Sequence, residues 1–228
     1  ITNIIEDSDG DIWIATSNGV CLYNPRTRQW RSFLSSYQED KHDQNHVFIS
    51  LCEVEPGVVL VGGYMSGMYR IDKRDMTPRY LSPQSIGYKY IRPDKYIRSI
   101  FRDKEGIVWA GGHYNFKGIH PKNDYIEHYS ADYPVTFITA KDDQNLWIGT
   151  INGLYKFNKE LKKIQQVNLS SELGAINTIH QANEELTYIG THGTGLWIYN
   201  DRTKQLDNYM KDNSALLSNN IFTILPSS

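Results

Sequence analysis

Cysteine is nearly absent from this chain. Only Cys21 and Cys52 occur among 228 residues. Each sits in an apolar, strand-like run (Val20–Tyr23 and Phe48–Glu53), and two are too few to make a disulfide framework in a chain this long. They read as buried thiols, with a bridge between them as the alternative, and neither reading fixes the redox compartment. Basic clusters are missing too. The formal charge is −2, which excludes the basic stripe of a nucleic-acid binder and the polybasic patch of a membrane-surface protein. There is no apolar run of 18 residues and no signal peptide. The chain begins inside a strand pattern, Ile1-Thr2-Asn3-Ile4-Ile5, and is expected to be part of a longer protein. Gly-x-Ser-x-Gly, phosphate-loop and zinc spacings are all absent, so no catalytic residues, no cofactor and no metal site are expected.

Strand formers and turn residues are abundant, with 16 tyrosines and 17 glycines. Tyr, Trp, Ile and Val favour strands and Gly and Asn punctuate them, which points to an all-β chain. Self-similarity is the stronger signal. Trp13-Ile14-Ala15-Thr16 recurs as Leu60-Val61-Gly62-Gly63, Trp109-Ala110-Gly111-Gly112, Trp147-Ile148-Gly149-Thr150 and Tyr188-Ile189-Gly190-Thr191. Each is followed by a glycine and an apolar residue: Gly19-Val20, Gly67-Met68, Gly118-Ile119, Gly153-Leu154 and Gly195-Leu196. The anchors lie 47, 49, 38 and 41 residues apart, a period that suits a four-stranded propeller blade and is long for a leucine-rich repeat.

Each unit reads as four strands. An inner strand comes first (Ile1–Glu6, Phe48–Val54, Ile97–Arg102, Thr136–Lys141, Asn177–Gln181 and, opening a sixth unit, Ile221–Leu225). A tight turn follows, clearest in Asp7-Ser8-Asp9-Gly10 and Asp103-Lys104-Glu105-Gly106, where Asp supplies a local acceptor and Gly the positive φ. The anchor strand, a third strand and an outer strand ending in Phe33, Tyr80, Tyr129 or Tyr209 complete the blade. A blade is covered on both faces by its neighbours, so its middle strands are expected to be apolar throughout. The small residue at 15, 62, 111, 149 and 190 is expected where sheets converge. The blades run over about 1–33, 47–81, 96–129, 135–168 and 176–209, with 219–228 beginning the next, all within one partial propeller spanning 1–228.

Asn145-Leu146-Trp147-Ile148-Gly149-Thr150-Ile151-Asn152-Gly153-Leu154-Tyr155 and Asp9-Gly10-Asp11-Ile12-Trp13-Ile14-Ala15-Thr16-Ser17-Asn18-Gly19-Val20 resemble the two-component regulator propeller repeat. The second unit departs from it, with Glu55-Pro56-Gly57 at its turn and no Trp. The fourth and fifth lose the turn Gly. The resemblance implies a seven-bladed propeller, often one of two in tandem, in the periplasmic half of a hybrid two-component sensor of glycan-degrading bacteria. The kinase and DNA-binding parts would lie elsewhere in an inner-membrane parent, where they regulate glycan-utilisation genes through a phosphorelay. The five units here are then an incomplete propeller, and a closed five-bladed ring is the alternative.

Antiparallel strands sort the loops onto two faces. The hairpins between second and third strands share a face with the inter-blade loops, two of which are long (around Ser35–His46 and Ser82–Lys95). Long loops on a rigid scaffold are where binding concentrates. Tyr64, Tyr88, Tyr90, Tyr114 and Phe116 are candidates to stack on sugar rings there. Arg92, His113, Asn115 and His192 are candidates to hydrogen-bond hydroxyls or an acidic group, with the His113–Lys117 hairpin read as a five-residue loop. The ligand that the resemblance implies is an oligosaccharide; other blades, a second propeller and a second copy of the chain are the remaining expected partners, with no nucleic acid and no membrane. The bland readings are packing for the aromatics and solvation for the rest.

Competing motifs are weaker. His42 and His46 stand four apart in a polar loop without helix periodicity. Asp7-Ser8-Asp9-Gly10-Asp11 echoes a calcium loop but lacks its twelfth-position Glu. Asp103/Glu105 and Asp142/Asp143 have the composition of acid–base pairs, yet fall at repeated turn positions. Two other functions remain open at this point: an enzyme, lyase or glycosidase, with charges converging on inner-strand residues such as Arg98, Arg102 and His180, or an interaction scaffold with a broad apolar patch.

Overall fold

A computed structural model describes residues 1–35, 47–81, 95–120, 125–170 and 172–225. All regular elements among the described residues are strands, and they form five four-stranded antiparallel sheets, each paired in simple order. The first blade is β1 (Asn3–Glu6), β2 (Ile12–Thr16), β3 (Gly19–Asn24) and β4 (Gln29–Phe33), and the second is β5 (Phe48–Glu55), β6 (Val58–Gly63), β7 (Gly67–Asp72) and β8 (Pro78–Tyr80). The third is β9 (Ser99–Arg102), β10 (Val108–Gly111), β11 (Asn115–His120) and β12 (Tyr125–Ser130). The fourth is β13 (Val135–Ala140), β14 (Asn145–Thr150), β15 (Gly153–Asn158) and β16 (Lys163–Gln166), and the fifth is β17 (Ile176–Gln181), β18 (Leu186–Thr191), β19 (Leu196–Asn200) and β20 (Leu206–Tyr209). The chain is an all-β propeller segment. It falls into two compact units, Ile1–Tyr129 with blades 1 to 3 and Ser130–Ser228 with blades 4 and 5.

The cores lie between sheets. Trp13, Val20, Leu22 and Phe33 of blade 1 meet Phe48, Leu51, Val59, Val61 and Ile71 of blade 2. Leu60 and Met68 of blade 2 meet Ile97, Ile100, Val108 and Ala110 of blade 3. In the second unit, Trp147 and Leu154 pack on Ile176, Ile179, Ile189, Trp197 and Tyr199. Trp13, Trp109 and Trp147 are fully buried, each contributing roughly 1.5–3 kcal/mol from apolar burial. β6, flanked by blades 1 and 3, is buried along its whole length. β2 departs from the expectation of all-round burial. Trp13 and Ala15 face blade 2, whereas Ile12 and Ile14 are half-buried, because no sheet of this unit lies on their side.

The small residue two places after each anchor is a joint. A Cβ on Gly62 would stand 2.5 Å from Ile97 Cγ2, one on Gly149 2.8 Å from Ile176 Cγ2, and one on Gly190 2.7 Å from Ile221 Cγ2. Each of those isoleucines leads into the following inner strand, so bare backbone on one sheet is the seat for the first side chain of the next. Backbone bonds fix the same joints: Ile97 N donates to Gly63 O at 3.0 Å and Ile221 N to Thr191 O at 2.9 Å. Ile221–Leu225, expected as a sixth inner strand, carries that seat through Ile221 and makes no strand pairing among the described residues.

On the opposite face, the Asp-x-x-Gly turns hold the tryptophans. Asp7 Oδ1 accepts the amides of Asp9 and Asp11, both at 3.0 Å, and Oδ2 accepts the Trp13 indole N–H at 2.8 Å. Asp103 does the same for Glu105, Ile107 and Trp109, with Gly10 and Gly106 at φ 81° and 85°. The side chain of Lys73 reaches across from blade 2 and sets its Nζ 3.0 Å from Asp7, 2.7 Å from Asp9 and 2.7 Å from Asp11. The carboxylates of the calcium-like loop therefore surround an ammonium of the protein itself. Burial opposes ionisation of Asp7, but the Trp13 and Lys73 hydrogen bonds outweigh it and hold its pKa below the usual value.

The second unit has the same joint with its charges exchanged. Lys141 stands six residues before Trp147, as Asp7 stands before Trp13. Asp201 follows Asn200 as Lys73 follows Asp72, and Asn200 and Asp72 both pair two places ahead of their anchors, with Leu186 and Val58. Lys141 Nζ lies 2.9 Å from Asp201 Oδ2 and 5.5 Å over the Trp147 ring. Burial works against the Asp201 charge, yet Lys204 and Lys141 pull its pKa down to about 2.

Three outcomes follow from these joints. Gly62→Val lowers stability by about 1–3 kcal/mol through overpacking against Ile97, measured by chemical denaturation. Lys141→Asp sets two carboxylates together and costs about 1–3 kcal/mol, less than a fully buried pair because Asp201 is partly exposed, whereas Lys141→Asp with Asp201→Lys regains most of the loss in a double-mutant cycle. Because the folded pKa of Asp201 is depressed, its contribution is complete above the ordinary aspartate value near 4 and is lost as pH falls through about 2. Acid titration of parent against Asp201→Asn reads that difference.

Candidate ligand-binding site

The backbone joint between blades 2 and 3 also assembles a cluster of rings. Tyr64 N donates to Val47 O at 2.9 Å and Gly67 N to Lys95 O at 3.0 Å, on either side of the β6–β7 hairpin. An isolated antiparallel bridge joins Tyr64 to Tyr96 in the lead-in to β9. Their rings meet edge to face with centroids 5.1 Å apart. Tyr96 lies 5.0 Å from His113, which lies 4.5 Å from Tyr114; these last two form the β10–β11 turn. The Arg98 guanidinium carbon sits 5.7 Å from the Tyr64 ring centroid. Tyr64 is 40% exposed and Tyr114 55%, so two rings face solvent above a layer of half-buried ones. Two nitrogens in that layer, Arg98 Nε and His113 Nδ1, are buried and have no hydrogen-bond partner.

Of the residues expected from sequence, Tyr64, His113 and Tyr114 come together here. Asn115 opens β11 next to them, half-buried, its carbonyl accepting from Gly112 N at 2.8 Å. His192 is exposed at the blade 5 hairpin of the other unit, its amide bonded to Ala175 O at 2.9 Å. Tyr88, Tyr90 and Arg92, and the His42/His46 pair, lie outside the described residues.

Phe116 requires a correction. It is fully buried, opposite Gly111 in the β10–β11 ladder and stacked on Tyr129 at 5.1 Å, so it offers no face to a ligand. The loop expected over His113–Lys117 is a shorter turn, because β11 begins at Asn115. The apolar position Val20, Met68 and Leu154 pair across from Ala15, Gly62 and Gly149, and Phe116 fills the corresponding place. Gly118, aligned in the sequence with the glycines that follow the hairpins, instead faces Trp109 in mid-strand, where a Cβ would touch the indole at 3.0 Å. Counting seven or eight residues from each anchor to its apolar partner, rather than looking for a glycine, identifies Phe116 as core.

Tyr96 was missed by the sequence reading, and Arg98 was singled out only as an inner-strand charge. The signal was available in the joint itself. Once Ile97 is seated on Gly62, the residue before it must lie along the β6–β7 hairpin, and the residue after it begins the inner strand. The surface offers ring faces, a fixed cation and hydrogen-bond donors. The acid pairs considered for proton transfer are occupied elsewhere: Asp103 holds its turn and Trp109, and Asp142 Oδ1 accepts the amides of Gln144 and Asn145.

Comparison with known proteins agrees with this architecture. Residues 1–18 and 92–114 match the model of the two component regulator propeller. No curated protein matches the chain. Among solved structures, the extracellular domain of BT4673 from B. thetaiotaomicron, named as a hybrid two component system, is similar at 19% identity and a TM-score of 0.72, over 96% of this chain and 31% of that one. The extracellular domain of BT3049 from the same organism, named likewise, is similar at 15% identity and 0.75, over 92% and 31%. The WD40 repeats of RRP9 are similar at 12% identity and 0.70, over 91% and 63%. The chain thus spans about a third of the length of the B. thetaiotaomicron domains, and at these identities the likeness is one of fold. In sequence over those two stretches the chain is similar to the two component regulator propeller, and its five four-stranded sheets have the propeller's blade architecture.

Proposed function

We propose that this chain is a ligand-sensing propeller module in the extracytoplasmic part of a two-component signalling protein. In this reading, the Tyr64–Tyr96–His113–Tyr114 surface receives an oligosaccharide. The observation that carries it is that surface: exposed Tyr64 set against the half-buried Arg98 and bridged to Tyr96 between blades 2 and 3, with exposed Tyr114 joined to it through His113. Sugar rings present apolar faces to aromatic rings and hydroxyls to polar neighbours, which is the mixture found here. The repeat family supports the signalling context, and the extracellular solved domains support a periplasmic location. The parent would carry the kinase and DNA-binding parts and regulate glycan-utilisation genes. A ligand could act only by binding two arrangements of the protein unequally.

Calorimetric titration with cello-, xylo-, arabino- and galacturono-oligosaccharides tests the site. Binding by at least one of them, weakened about tenfold by Tyr64→Ala and again by Tyr114→Ala, is the expected result. Heat signals from none, or affinities that both substitutions leave intact, remove the proposal.

One observation favours a second reading, an interaction platform. Trp30 is 63% exposed on the outer strand β4, stacked on Tyr23 at 4.4 Å, and shares a sheet face with the half-buried Ile12 and Ile14. If that face joins copies of the chain, sedimentation shows a concentration-dependent dimer that Trp30→Asp dissociates. A monomer at all concentrations discards this second reading.

A further inference from the structure

Arg98 is in an unusual electrostatic position. It precedes β9, its backbone amide is taken by Gly111 O at 3.0 Å, and its side chain is half-buried. The guanidinium carries five donors and a permanent charge. Its contact with the Tyr64 ring at 5.7 Å satisfies none of those donors in the plane. The Nε is buried without an acceptor, and no carboxylate among the described residues forms an ion pair with it. Elsewhere the protein pairs such groups: Arg70 and Arg74 share Asp72, and Arg202 meets Glu185. A cation half-buried, with its Nε removed from water and no counter-charge beside it, is a cost to the folded chain, one that solvent at its outer nitrogens only partly relieves. The cost persists in the free protein and disappears when an anion binds.

Within the same cluster, His113 Nδ1 is also buried and unpartnered, two ring contacts away through Tyr96 and Tyr64. The cation and the ring nitrogen thus lie in one aromatic layer, beneath the two tyrosines that face solvent. Resting on the reading of this surface as a ligand site, we infer that its ligand carries an oxyanion, a carboxylate or a sulfate ester, and that Arg98 selects for it. A neutral hydroxyl bonds to a guanidinium but leaves the charge uncompensated. An oxyanion does both, with the two-pronged geometry that arginine presents and lysine lacks.

Three tetrasaccharides separate the possibilities by calorimetry: tetragalacturonate with carboxylates only, a sulfated neocarratetraose with sulfate esters only, and uncharged cellotetraose. At least one charged sugar is expected to bind tenfold or more tightly than cellotetraose, with an affinity that falls as salt rises. Arg98→Gln should bring it to the cellotetraose level and Arg98→Lys to an intermediate one. Which charged sugar responds tells carboxylate from sulfate. A ligand-free readout accompanies these: if Arg98 lacks a partner in the protein, Arg98→Gln leaves the melting temperature unchanged or raises it, whereas a structural arginine would lower it. Equal affinity for charged and neutral sugars, or an Arg98→Gln variant that binds as the parent does, overturns the inference. Should cellotetraose alone bind and Tyr64→Ala abolish it, the sugar surface stands and the anion selection falls. Should none of the three bind, the anion selection falls, and the sugar surface is decided by the xylo- and arabino-oligosaccharide titrations.

Discussion

An isoleucine side chain resting on a glycine backbone is the contact from which the rest of the architecture is built. At Gly62, Gly149 and Gly190 the space a Cβ would fill is taken by Ile97, Ile176 and Ile221. That approach sets how closely one sheet leans on the next, and therefore how much of each tryptophan and each middle strand leaves water. It also determines the path of the chain between blades. The lead-in must cross the preceding hairpin at one register, and Ile97 N and Gly67 N are bonded accordingly. Tyr64 and Tyr96 meet because of this crossing. The candidate site is a by-product of the joint and inherits its rigidity, which is what a binding surface on a propeller requires.

The polar chemistry of the two faces divides along the same lines. On the turn face the groups around the tryptophan anchors are occupied. Asp7 and Asp103 receive backbone amides and an indole, Lys73 is surrounded by three carboxylates, and Lys141 and Asp201 repeat the bond with signs exchanged. The hairpin face of blades 2 and 3 leaves buried nitrogens without partners. Structural parts of a protein are satisfied internally, and groups left over tend to mark places where something else is expected to complete them. The pair of unbonded nitrogens under the exposed rings is therefore a stronger pointer to a ligand than the abundance of tyrosine.

The repeats were legible in the sequence because they impose regular demands. A large anchor and a small residue two places on answer a constraint that recurs in every blade, the Asp-x-x-Gly turn one that recurs in two of them, and recurrence makes such signals readable. Trp13, Trp109, Trp147, Gly62 and Asp7 were placed correctly on that basis, whereas the fifth anchor, Tyr188, is only half-buried. Phe116 was misplaced because one glycine, Gly118, mimicked the post-hairpin glycine while answering a different constraint, the bulk of Trp109 across the ladder. Arg98 and Tyr96 belong to a single blade and follow no period. Their significance lies in which partners they have and lack, a property of three-dimensional neighbours that spacing does not encode. The half-buried face of Ile12 and Ile14 was likewise invisible, since the sequence of β2 matches that of a strand covered on both sides.

The exchanged charges at the two joints have a bearing on how such a chain can grow. Propellers enlarge when recombination copies a repeat beside its parent. With Asp7 answering Lys73 in one place and Lys141 answering Asp201 in another, the blades are no longer interchangeable bricks. A duplicate inserted beside an unsuited neighbour would bring two like charges into a tight, poorly hydrated corner. The two joints are therefore not interchangeable, and each partner blade is matched to its own neighbour by charge as well as by shape.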